Sequence, residues 1–152
     1  MQPVSWLVIE NSEEVQRLAG LVVDWMRYMM EAQPELAKSM HFEKVSSAWS
    51  MGLDNVCRSA PHVIVTHAPE ENPLAQTSCT IALTYLELAA FGMGLGACWA
   101  GYLHMAALYY PPMIQALNLP EGHKCFGAMM VGYPQYHYHR VPKRNEAAIT
   151  WR

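Results

Sequence analysis

Three groups of residues in this chain are of types and spacings that could do chemistry. The first is Gly92-Met-Gly94-Leu-Gly96 with Trp99-Ala100-Gly101 close behind it. Glycine permits positive φ and close approach of a ligand to the backbone. Phosphate-cradling glycine loops, however, follow a strand and open a helix, so that the helix N-terminus faces the anion. Here a helical pattern runs into the glycines, and a helix C-cap followed by a tight turn accounts for them equally well. The second group is Arg140, Lys143 and Arg144. Taken by itself it reads as a solvated cationic tail. The third is His123, His137 and His139, of which the last two would share one face of an extended segment and could chelate a transition metal. No third ligand is placed beside them, so no metal is expected.

The four cysteines, Cys57, Cys79, Cys98 and Cys125, show no Cys-x-x-Cys spacing. That excludes zinc-ribbon and iron–sulfur readings and leaves reduced, buried thiols as the expectation. No His or Asp partner can be assigned to Cys57 or Cys98, so neither is read as a nucleophile. No catalytic side chain is predicted.

The elements that must position these groups are legible in outline. Val4 to Ile9 is a β-rich run. Asn11 with Glu14 forms a capping-box pattern ahead of Val15, Leu18, Leu21, Val22, Trp25, Met26 and Met29 at helical spacing, and this helix ends before Pro34. Residues 35–60 are mixed, and are read as a loop with short helices in which Gly52 and Asp54 serve as turn or cap positions. Val63 to Thr66 reads as a short central strand, and Ala68 to Pro73 as a surface loop. Gln76 to Phe91 is apolar on nearly every face (Ile81, Leu83, Leu86, Leu88, Ala89, Ala90), which predicts a helix buried in a core or a subunit interface. A helix from His104 to Tyr110 is interrupted and restarted at Pro111-Pro112, and Cys125 to Tyr133 reads as a buried strand. The tail from Gln135 to Arg152 does not have the pattern of a packed element.

Length and composition bound the class. A chain of 152 residues fits one domain, 1–152, with a continuous core. Hydrophobic residues at 52% against 15% charged imply apolar surface covered by a partner chain, most simply a second copy. A net charge of -3 without a Lys/Arg cluster outside the tail argues against nucleic acid. No apolar run approaches the roughly 20 residues of a membrane span, and no signal-peptide pattern opens the chain, so a cytoplasmic protein is expected.

The run Glu87-Leu-Ala-Ala-Phe-Gly-Met-Gly-Leu-Gly-Ala-Cys-Trp-Ala-Gly101 resembles the buried helix and Gly-Leu-Gly-x-x-Trp-x-Gly segment of the nitroreductase family. Further pieces fall in the family's order. Gln2-Pro3-Val4-Ser5-Trp6 resembles the end of its Asn-x-Gln-Pro-Trp motif, Arg58-Ser-Ala-Pro61 its Arg-Gly-Ala-Pro motif, and Leu119-Pro-Glu-Gly122 its Leu-Pro-x-Gly turn. Val131-Gly-Tyr-Pro134 and Pro142-Lys-Arg144 resemble its closing strand and basic tail.

The resemblance implies an α+β fold, a central, mainly antiparallel sheet flanked by helices, and an intertwined homodimer with two FMN sites at the interface. It places Cys98, Trp99, Ala100 and Gly101 beside the isoalloxazine ring, with a backbone N–H at Ala100 or Gly101 bonded to flavin N5. It assigns Gln2 and Arg58 to cofactor binding and Lys143 and Arg144 to the flavin phosphate. The implied activity is hydride transfer from NAD(P)H through FMN to an acceptor such as a nitroaromatic or quinone. The family's Arg-x-Ser-x-Arg segment and leading helix have no counterpart ahead of Gln2, so the chain reads as an N-terminally shortened relative. A flavin-poor or non-catalytic dimeric remnant, and a flavin-remodelling relative, are the alternatives.

Overall fold

A computed structural model describes residues 4–136, 139–140 and 143–152. Its centre is a four-stranded antiparallel sheet in the order β1-β2-β4-β3. The middle pair, β2 (His62–Pro69) and β4 (His123–Gly132), carries the longest ladder, interrupted by a register shift between Thr66 and His67. Strand β2 runs on through Pro69, so the loop expected from Ala68 begins only at Glu70. At one edge lies β1 (Ser5–Ile9) and at the other β3 (Gly96–Trp99), which pairs Gly96 with Gly132 and Trp99 with Met129. Strand β3 is a correction to the sequence reading, which has only a turn there. Four residues, two of them Gly and Ala, are too short a run to show a strand period.

Alternation along the strands gives the sheet two apolar faces. Val63, Val65, Ala128 and Met130 join one core, and Met129 and Val131 join another. The first core is covered by α1 (Ser12–Ala32), α2 (Pro34–Ser39), α3 (Phe42–Ser50), α5 (Gly101–Tyr109) and α6 (Pro111–Leu117). Helix α1 presents Val15, Leu18, Val22, Trp25 and Met26 inward. Each such fully buried side chain contributes about 1.5–3 kcal/mol of transfer free energy. Trp25, Phe42 and Tyr102 form an aromatic chain, with ring centroids 5.1 and 6.0 Å apart. Asn11 caps α1 through its Oδ1, which accepts from the amides of Glu13 and Glu14 at 2.8 and 3.4 Å. The reciprocal half of the capping box is not made. Glu14 instead takes two contacts of 2.7 Å from Arg17, which hold its carboxyl below the usual range. Residues 35–60 are also more helical than their mixed pattern suggests, because α2 and α3 bury Ala37, Phe42, Val45 and Ala48 against α1 and its neighbours.

Among the described residues the other face is covered by α4 (Ala75–Gly92) alone. Ala75, Cys79, Leu83 and Ala90 meet the sheet. Gly127 lets the helix come close, since a Cβ there would lie 2.5 Å from Leu83 Cδ1. The expectation of burial holds for this side only. Within one chain Tyr85, Leu88 and Phe91 are 71, 68 and 85% exposed, and Met93 just beyond the helix is 75% exposed. Helix α4 closes as a Schellman motif. Gly94, at φ 75°, donates to Phe91 O, and Leu95 donates to Ala90 O at 2.8 Å.

Cys57, Cys79 and Cys125 are buried, whereas Cys98 is exposed on β3, contrary to the reading of all four as buried. Among the described residues no helix is long and apolar enough to cross a membrane.

Candidate functional site

The chain leaves β3 at Trp99 and immediately starts α5. Ala100 extends the sheet pattern by one residue, its amide donating to Ala128 O at 2.9 Å. Gly101 is the first residue of α5, and the first turn of a helix leaves its amides without intrahelical acceptors. Among the described residues the Gly101 N–H meets no acceptor. A Cβ built on Gly101 would meet nothing within 4 Å, so the chain's own packing does not demand glycine there. The space in front is a cavity of about 210 Å³ whose walls include Met40, Arg58, Trp99, Tyr102 and Met130. Two hydrogen bonds brace it. Trp99 Nε1 donates to Glu87 of α4 at 3.3 Å, and the Tyr102 hydroxyl donates to Met40 O at 3.1 Å.

Arg58 also lines a second groove of about 400 Å³, together with Pro61, Cys98, Gly132, Tyr133 and Gln135. It sits in a turn where Arg58 and Ser59 are both left-handed, at φ 54° and 55°. Asp54 holds this turn: its Oδ1 accepts from the amides of Val56 and Cys57 at 2.9 and 2.8 Å, and its Oδ2 from Ser59 at 3.0 Å. Gly132 lets the end of β4 close on the turn, since a Cβ there would lie 2.8 Å from Pro61 Cδ. Burial, with the Asp54 charge adding to it, pushes the Cys57 thiol up to about 12. It is therefore a packing group and not a thiolate.

Of the residues singled out from sequence, Arg58, Cys98, Trp99 and Gly101 are brought to these two adjoining spaces. Ala100 is beside them but buried, and its N–H is already taken by Ala128. That leaves Gly101 as the free donor of the pair. Lys143 and Arg144 are exposed and line neither space, and Arg140 is likewise exposed. Gln2, Pro3, His137 and Pro142 lie outside the described residues. His123 is remote from the grooves: its Nδ1 is 2.9 Å from Nδ1 of His67, one ring donating and the other accepting. Tyr102, Met40, Met130 and Tyr133 were not singled out from sequence. Tyr102 was findable, because it directly follows Gly101 at a helix start, but the others come from elements distant in the chain.

Residues 1–133 match the Nitroreductase family model. No curated protein matches the chain by sequence. Among solved structures, a nitroreductase with bound FMN from Bacteroides fragilis NCTC 9343 superposes with a TM-score of 0.77 at 17% identity, covering 97% of this chain and 75% of that one. A nitroreductase with bound FMN from Desulfitobacterium hafniense DCB-2 gives 0.71 at 18% identity, over 98% of this chain and 76% of that one. An iodotyrosine deiodinase bound to FMN and 3-iodo-L-tyrosine gives 0.63 at 21%, over 100% and 77%. At these identities the likeness is one of fold, and it agrees with the α+β architecture and antiparallel sheet. With the family match over most of its length, this chain belongs to the nitroreductase family.

Proposed function

We propose that the chain is an FMN-dependent oxidoreductase of the nitroreductase type that works as a homodimer in the cytoplasm. Bound FMN would supply the redox chemistry, taking hydride at N5 from NAD(P)H and passing it to an acceptor such as a nitroaromatic or quinone. The observation that carries this reading is that Gly101 opens α5 at the wall of a cavity it shares with Arg58 and Trp99, and its N–H meets no acceptor among the described residues. A backbone donor fixed by a helix costs no reorganisation when it meets an electron-rich ring atom, and the N-terminal end of the helix dipole favours charge there. Trp99, Met130 and Tyr102 wall the space and limit water. Arg58 supplies positive charge from its left-handed turn. Lys143 and Arg144 would meet the phosphate, and Gln2, outside the described residues, would be the cofactor contact from the partner chain. No side chain is required to act as an acid or base.

The homodimer rests on the uncovered side of α4. Tyr85 and Met93 join Trp6, Ile64, Leu95 and Val131 around an apolar groove of about 520 Å³. Contiguous apolar surface of this kind marks an interaction site on a soluble domain.

Titrating purified protein with FMN while following quenching of flavin fluorescence tests the reading, together with mass in solution. Saturation at one FMN per chain in a dimer, bleached by NADH or NADPH, supports it. Absence of uptake at high FMN overturns it. A second reading, a dimeric member poor in flavin, is favoured by Lys143 and Arg144 lining neither groove. It predicts dimer mass without saturable uptake.

A further inference from the structure

Resting on the flavin-site reading above, we propose that Asp54 is a positioning residue whose carboxylate folds the Arg58-Ser59 turn and so aims the Arg58 guanidinium between the two grooves. Two consecutive non-glycine residues in the left-handed region are unfavourable for L-amino acids, because Cβ crowds the neighbouring carbonyl. Something outside those residues must hold them. Three amides converge on the two oxygens of Asp54, from Val56, Cys57 and Ser59, at 2.9, 2.8 and 3.0 Å. Ala60 N–H closes the turn on Cys57 O at 2.9 Å. A carboxylate accepting several backbone amides makes strong, charge-assisted bonds.

The consequence for Arg58 follows from where those bonds go. Each Asp54 oxygen is occupied by backbone, and among the described residues Arg58 forms no ion pair. Its charge is therefore open to an anionic ligand, while its backbone is held by a residue four positions earlier. Ser59 stands where the Arg-Gly-Ala-Pro motif has glycine, the residue that tolerates φ 55° without help. In this chain Asp54 does the work a glycine would otherwise do.

The test uses the full chain and FMN, with Arg58→Ala, Asp54→Ala, the double variant, and Asp54→Ala combined with Ser59→Gly. Arg58→Ala and Asp54→Ala are each expected to weaken FMN binding about tenfold, in the range of one lost charge-assisted hydrogen bond. The double variant should bind no more weakly than Arg58→Ala alone, because Asp54 acts only through Arg58. Adding Ser59→Gly to Asp54→Ala should restore most of the affinity, and it should do so at FMN concentrations and temperatures where melting curves show all the variants fully folded. Hydrogen exchange of the Val56, Cys57 and Ser59 amides, read without flavin, should be slow in the wild type and fast in Asp54→Ala. The proposal is overturned if Asp54→Ala binds FMN like the wild type, if the two losses multiply, or if those amides exchange equally in both proteins. Should the wild type take up no flavin, the functional reading fails by itself, and the exchange result still decides whether Asp54 holds the turn.

Discussion

The two faces of the sheet solve the same problem differently. On one, five helices bury Trp25, Phe42, Met26, Leu103 and Met113 completely within a single chain. On the other, α4 buries a narrow line of small and medium residues and turns Tyr85, Leu88 and Phe91 outward. The first face is finished by folding, whereas the second, in the account proposed above, is finished by a second copy. The candidate site lies at their common margin, where β3 passes from α4 to α5. Trp99 ties β3 to Glu87 on the unfinished side, and Tyr102 ties α5 to Met40 on the finished one.

The contrast can be broken from either side. The largest effect belongs to the finished face. Trp25→Ala should cost about 3–5 kcal/mol through lost burial and the cavity left behind, measured by urea unfolding. Leu88→Asp on the unfinished face should leave the far-ultraviolet circular dichroism intact and weaken the dimer seen by analytical ultracentrifugation by about 2 kcal/mol, roughly thirtyfold, the scale of an interface hot spot. If Leu88→Asp unfolded the chain instead, the division of labour between the faces would be wrong. Asn11→Ala, which removes the α1 cap, should cost about 1 kcal/mol and leave dimer mass unchanged.

The smallest effect depends on pH. Burial lowers His67 from its ordinary 6.5, with His123 adding to the shift. Burial also lowers His104, against a raising contribution from the Cys125 backbone. His67 pairs across the sheet with Cys125, which belongs to the finished core. As pH falls, the unfolded chain takes up protons at these histidines before the folded chain does. The stability they contribute is therefore present above about 6.5 and is lost as pH drops through the folded values. Melting temperature against pH should show this decline, and replacing His67 by Phe should flatten it.

Much of this was legible in the sequence because strong local signals agreed with the tertiary structure. The cap at Asn11, the breaks at Pro34 and Pro111, and the Gly94 turn each act within a few residues. The pattern of α4 carried its ambiguity openly, since a helix apolar on every side looks the same whether a core or a partner covers it. The rest depends on contacts distant in the chain. Strand β3 exists because β4 offers it a ladder, and α2 and α3 are fixed by burying Ala37 and Phe42. At the site, Arg58 was named by a motif, but its left-handed geometry and its dependence on Asp54 were not. Asp54 alone reads as one more turn residue. Ala100 and Gly101 were equivalent in sequence, and only the bond from Ala100 to Ala128 O separates them.

That separation supplies the most direct test, because the central claim is that the Gly101 N–H at the start of α5, without an acceptor among the described residues, binds flavin. Gly101→Ala keeps the amide, whereas Gly101→Pro removes it at the first helical position, where proline is tolerated. The account predicts that FMN titration finds Gly101→Pro at least about tenfold weaker than Gly101→Ala, the loss of one hydrogen bond to a ring atom. Equal affinity of the two variants, in proteins with the same melting temperature, would contradict it.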